Sequence, residues 1–98
     1  MFVSISRYRV KPGMEEELKA HNEEWKYSIR PQIQGFISVH VYQNAKDKRE
    51  WTSVATFLDE YSEAANANST EHKQWYRRML EMVESTPVYW QGELVQEG

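Results

Sequence analysis

Cysteine is absent from the 98 residues, which removes disulfides, thiolate nucleophiles and cysteine metal sites together and fits a reducing compartment. No apolar run approaches the roughly 20 residues of a membrane span, and Met1 leads directly into a strand pattern with no signal-peptide core before it. A cytoplasmic location without a membrane partner is the expectation. Basic blocks are missing as well. Twelve Lys and Arg stand against 15 Asp and Glu, a net charge of −3, so the electrostatic footprint of a DNA or RNA binder is not there. Repeats and low-complexity tails are lacking, and no nucleophile motif accompanies the serines, which sets a hydrolytic triad aside. A single domain over residues 1–98 is expected. At this size it buries only about 60–70% of its unfolded surface, so association with a partner would help it.

Aromatic weight is what the chain does have: four Trp, six Tyr and three Phe. Aromatic side chains serve cores, interfaces and flat ligands alike. Four stretches, Met1 to Val10, Gly35 to Gln43, Glu50 to Leu58 and Pro87 to Val95, alternate with the period of two that marks a strand. One set of side chains reads Phe2, Ser4, Ser6, Tyr8 and Val10, then Ile37, Val39 and Val41, then Trp51, Ser53, Ala55 and Phe57, then Val88, Trp90 and Leu94. That set is the natural seat for helices. The opposite set holds Val3, Ile5, Arg7 and Arg9, then Phe36, Ser38, His40 and Tyr42, then Thr52, Val54, Thr56 and Leu58, then Tyr89, Gln91, Glu93 and Val95. It is too apolar for open water and too polar for a dry core, which predicts a second copy of the sheet against it. Arg7, Arg9, His40 and Glu93 are expected to form a polar network across that interface.

Between the strands, Lys11-Pro12-Gly13 is a turn, and Glu15, Glu16 and Glu17 follow where the helix dipole favours acids. A helix from about Met14 to Ile29 is predicted, with Met14, Leu18, His21 and Trp25 on its apolar stripe and Pro31 as its stop. Asn44 to Arg49 reads as a mobile hairpin loop. Asp59 is an N-cap for a short helix covering Tyr61, Ala64 and Ala65. Ser69 or Thr70 caps a longer helix to about Glu84, which presents His72, Trp75 or Tyr76, and Met79 on one side. The order βαββαβ, its second helix broken in two, predicts an α+β ferredoxin-like sandwich with helices on one face of a four-stranded antiparallel sheet.

At this point the chain resembles the antibiotic-biosynthesis-monooxygenase family of dimeric α+β barrels. The resemblance rests on Arg9-Val10-Lys11-Pro12-Gly13, on the passage from Pro31 to Gly35-Phe36, on Trp51 to Phe57 leading into Asp59-Glu60, and on the helix start from Ser69 to His72. It implies two four-stranded sheets facing each other across a homodimer, and a ligand cavity between each protomer's sheet and helices. Family activities include cofactor-free oxidation of polyphenols or quinols, haem degradation and isomerisation. Where the haem-degrading branch carries asparagine, tryptophan and histidine, this chain has Ser6, Asn66 or Ala67, and Tyr76 or Arg77. Where the polyphenol-oxidising branch carries a tryptophan and a tyrosine, it has Phe57 and Glu63.

His21 and His72 fall on the apolar stripes of helices that face one side of the sheet. Each is either a buried neutral imidazole satisfied by a carbonyl or a ligand contact; His72, at a helix start beside a gap, is placed to act as general base toward a phenolic proton. Two imidazoles without an adjoining carboxylate do not make a transition-metal set, so no metal is expected. Ser4, Ser6 and Ser53 leave room beneath the helices unless large neighbours fill it. The resulting expectation is a cofactor-independent monooxygenase of a small aromatic or quinol substrate, with His72 or His21 as base and Ser6, Tyr8, Trp25, Ser53 and Trp75 shaping the pocket. A non-catalytic dimeric module binding a hydrophobic metabolite or haem, and a small-metabolite isomerase, are the alternatives.

Overall fold

The computed structural model describes all residues from Met1 to Gly98. Strand β1 (Phe2–Arg9) leads to helix α1 (Glu15–Ser28), then a 3-10 turn at Arg30–Gln32, then the hairpin of β2 (Phe36–Gln43) and β3 (Glu50–Phe57). Helices α2 (Glu60–Ala67) and α3 (Thr70–Leu80) follow, and β4 (Val88–Glu93) closes the sheet. The strands lie in the order β2-β3-β1-β4, every neighbouring pair antiparallel. This is the ferredoxin-like α+β sandwich predicted from the patterning.

Local chemistry fixes the helix starts. Asp59 accepts the Ser62 N–H at 2.8 Å and the Ser62 hydroxyl at 2.7 Å; these bonds hold the Asp59 carboxyl below its usual range. Ser69 caps α3 by accepting the His72 N–H at 3.2 Å, which places His72 in the first turn. Helix α1 starts without a side-chain cap and relies on Glu15, Glu16 and Glu17 against its dipole.

One end of the sandwich is solid. Val10 and Leu18 are fully buried among Tyr8, Trp51, Met79, Met82 and Val83. Burying a side chain such as Leu18 contributes about 1.5–3 kcal/mol. Here α3 stops at Leu80 and does not reach Glu84. The next residues leave the helix to extend the β1 ladder: Val83 bridges Val10, Lys11 N–H donates to the Met82 carbonyl at 2.9 Å, and Glu84 N–H donates to the Arg9 carbonyl at 2.8 Å.

Four further expectations are corrected by the fold. Phe36 belongs to the inner face, because a bulge at Ile37 sets Phe36 opposite Phe57 and turns its ring onto Trp25 and Phe57. Strand β4 is inverted. Ser6 opposes Tyr89 and Ser4 opposes Gln91, so Tyr89, Gln91 and Glu93 look toward the helices while Val88 and Trp90 look outward. Residues directly opposite in an antiparallel pair share a face, so register decides the matter and apolarity does not. Helix α2 is rotated as well, with Glu63 buried and Tyr61 82% exposed. Its rotation follows from a close approach to Gly35, where a Cβ would lie 2.1 Å from the Ser62 hydroxyl oxygen; Gly35 also holds a φ of +77°. Finally, Glu93 leaves the expected outer polar set with the rest of β4, and the arginines of that set have acidic partners within the chain. Arg7 pairs with Glu50 at 2.5 Å, Arg9 pairs with Asp47 and with Glu84, and Arg49 pairs with Glu84 at 3.1 Å. Those pairs also fasten the 44–49 loop, together with the Gln43 amide on the Lys48 carbonyl at 2.9 Å.

Candidate functional site

Side-chain size along two strands makes the cavity floor. The inner face of β1 and β3 is a ladder of facing pairs: Phe2 with Phe57, Ser4 with Ala55, Ser6 with Ser53, Tyr8 with Trp51. Large pairs sit at both ends and small ones in the middle, so the helices bridge a hollow instead of filling it. The cavity measures about 640 Å³, within the roughly 300–1,000 Å³ of small-molecule sites. Twelve of its 22 lining residues are hydrophobic, which makes it an apolar slot with a few polar groups aimed inward.

Trp25 from α1 and Trp75 from α3 close one wall, their rings 6.4 Å apart, and Phe57, Val39 and Val41 continue it along β3 and β2. The other wall is polar. Its groups are Glu63 of α2, His72 and Tyr76 of α3, and Tyr89 and Gln91 of β4. The His72 ring lies 6.2 Å from that of Tyr76, nearly parallel, and Tyr76 is 6.2 Å from Tyr89. Burial lowers the pKa of His72, keeping its imidazole neutral at neutral pH, and its Nδ1 has no hydrogen-bond partner. Burial also pushes the Tyr8 hydroxyl up to about 12. The Tyr89 hydroxyl is raised by burial first and then by its contact with Tyr76. Glu63 is raised by burial, partly offset by the Gln91 amide, which donates to its two oxygens at 3.0 and 3.1 Å. Neutral hydroxyls and a neutral imidazole therefore face the slot.

Of the seven site residues expected from sequence, Ser6, Tyr8, Trp25, Ser53, His72 and Trp75 line this one cavity. His21 does not. It is buried between α1 and α3, stacked on the Trp75 ring at 4.8 Å with 6° between the planes. Its Nε2 lies 2.9 Å from the Trp75 carbonyl, and the Trp75 indole N–H donates to the His21 carbonyl at 3.0 Å. A carbonyl only accepts, so Nε2 carries the proton, and the two residues clasp the helices. Apart from His72, sequence reasoning missed the polar wall. Glu63 and Asn66 stand at helical spacing and line the cavity beside Ala67, a polar pair hidden by the expectation that Tyr61 would be the buried residue.

The comparisons with known proteins agree with this four-stranded ferredoxin-like fold. The sequence model described as antibiotic biosynthesis monooxygenase matches residues 1–78. The chain belongs to this family. Solved structures agree in fold. A conserved protein of Methanosarcina mazei Go1 superposes with a TM-score of 0.84 at 18% identity, covering 93% of this chain and 89% of its own. A Mycobacterium tuberculosis protein superposes at 0.81 with 15% identity, covering 98% and 96%. SnoaB, a cofactor-independent oxygenase of Streptomyces nogalater, superposes at 0.82 with 9% identity, covering 98% and 94%. No curated protein matches the chain. Family membership assigns a function of the antibiotic-biosynthesis-monooxygenase type. No helix is long and apolar enough to cross a membrane.

Proposed function

We propose that this family member is a cofactor-independent monooxygenase of a small aromatic or quinol substrate, with His72 as its base. The observation that carries the reading is the apolar slot of about 640 Å³ with a neutral, half-buried imidazole on its wall. A flat ring lies between the small-residue floor and the Trp25 and Trp75 wall. His72 takes a proton from an activated C–H or phenolic O–H, and the electron-rich anion passes one electron to dioxygen. The radical pair joins as a carbon–oxygen bond, giving a peroxide anion. The peroxide takes up a proton, the remaining C–H proton leaves, the O–O bond breaks, and water departs. A CH₂ group plus O₂ thus becomes C=O plus H₂O, with both electron pairs drawn from the substrate. The protein supplies a base and a water-poor space.

Oxygen uptake by the purified protein with anthrone, whose methylene is activated, tests the reading. Uptake in the unaltered protein and its loss in His72→Ala are expected. Anthrone binding without uptake favours the binding module, and turnover without oxygen favours the isomerase.

The outer face belongs, in the same reading, to a second copy of the chain. Val88, Trp90, Tyr42 and Leu58 are all more than half exposed and share that face with Ile5 and Val54, an apolar surface that covering by another sheet would remove from water. Sedimentation at low micromolar concentration should find two chains; a compact stable monomer excludes the assignment.

A further inference from the structure

We propose that Glu63 is the acid that protonates the peroxide, so that the cavity carries its base on α3 and its acid on α2. The proposal rests on the oxygenase reading above and adds to it a proton donor. Glu63 is the one carboxyl on the cavity wall, and its residue is 9% exposed. Its side chain makes hydrogen bonds with one group alone, the Gln91 amide, and in both it is the acceptor. A proton on this carboxyl therefore has no acceptor in the protein and is offered to whatever fills the slot. Glu60 adds to its preference for the neutral form from the same helix. The same cavity is lined by His72 and Tyr76 of α3, Tyr8 of β1 and Tyr89 of β4, with Lys73 and Arg77 of α3. Burial favours the neutral form of both groups, the form in which a carboxyl can give a proton and an imidazole can take one.

The proton count closes. His72 takes the first C–H proton, and dioxygen joins the carbon. Glu63 gives its proton to the terminal peroxide oxygen and becomes a carboxylate. That carboxylate then removes the second C–H proton as the C=O bond forms, the O–O bond breaks, and the departing hydroxide takes the proton held by His72 to leave as water. Both residues return to their starting states.

Glu63→Gln tests the assignment, because it keeps an acceptor for the Gln91 amide but has no proton to give. With anthrone and air, the variant should still consume oxygen. Anthraquinone formed per oxygen consumed should fall at least about tenfold, with peroxide released in its place, as expected for loss of a general acid. The unaltered protein should lose activity as pH rises through the Glu63 pKa, and that alkaline limb should vanish in the variant. Equal coupling and an unchanged alkaline limb overturn the proposal while leaving the oxygenase reading intact. No oxygen uptake by the unaltered protein overturns both. Gln91→Leu provides a second arm that spares the carboxyl: losing the amide disfavours the carboxylate, so the alkaline limb should move to higher pH. A limb that stays in place, or moves down, overturns the proposal even if Glu63→Gln fails to fold.

Discussion

The same two strands build a solid end and a hollow middle. At Val10 the space beneath the helices is filled by Leu18, Met79, Met82 and Val83; two and three rungs further along, Ser6 opposite Ser53 and Ser4 opposite Ala55 leave it open. Backbone geometry is alike in both regions, so the difference lies in side-chain volume. Stability is concentrated where volume fills the gap between sheet and helices, and ligand capacity arises where it does not.

Cutting into the solid end should have the largest effect. Leu18→Ala removes a side chain with no exposure and should cost about 2–5 kcal/mol, read from urea unfolding. The hinge that sets the hollow comes next. Gly35→Ala demands a Cβ 2.1 Å from the Ser62 oxygen at a φ of +77°, and should cost about 1–3 kcal/mol and loosen α2, visible as faster amide exchange around Glu63. Filling the hollow is the converse. Ser53→Leu should change stability by less than about 1.5 kcal/mol, below the about 1–3 kcal/mol of overpacking a filled core, yet abolish anthrone binding. A loss as large as that of Leu18→Ala would show that the middle is already packed and erase the contrast.

The two histidines sharpen the same comparison at smaller scale. His21→Gln removes the clasp with Trp75 and should lower stability by about 1–3 kcal/mol, the cost of disturbing a buried hydrogen-bonded pair. His72 acts through pH. Its folded pKa lies below the usual 6.5 because of burial, so between the folded and unfolded values the unfolded chain binds the extra proton. Stability is then complete above the unfolded value and declines as pH falls below about 6.5. His72→Gln should flatten that acid-side decline in thermal unfolding curves. Glu63 has the opposite sign. Its raised pKa makes stability fall as pH rises above the usual 4.5, and Glu63→Gln should remove that slope.

Much of the site was legible before any coordinates, and the reason is specific. Ser4, Ser6 and Ser53 interrupt an otherwise bulky inner row, and a period of two puts them on one face whatever the neighbours do. His72 follows from Ser69, whose hydroxyl caps the helix three residues earlier. The rest of the polar wall was not legible, since Tyr89 and Gln91 reach the cavity only through the register of β4 with β1, and Glu63 only through the docking of Ser62 against Gly35.

The sequence by itself determined the order of strands and helices, their caps, and the alternation that splits the sheet into two faces, because these depend on neighbours within a few residues. Tertiary structure decided which face each half of β4 and which side of α2 would turn inward, where α3 would end, and that His21 would clasp while His72 lines the hollow. Those outcomes depend on pairing between residues far apart in the chain, and periodicity alone holds no information about which of two faces a partner will meet.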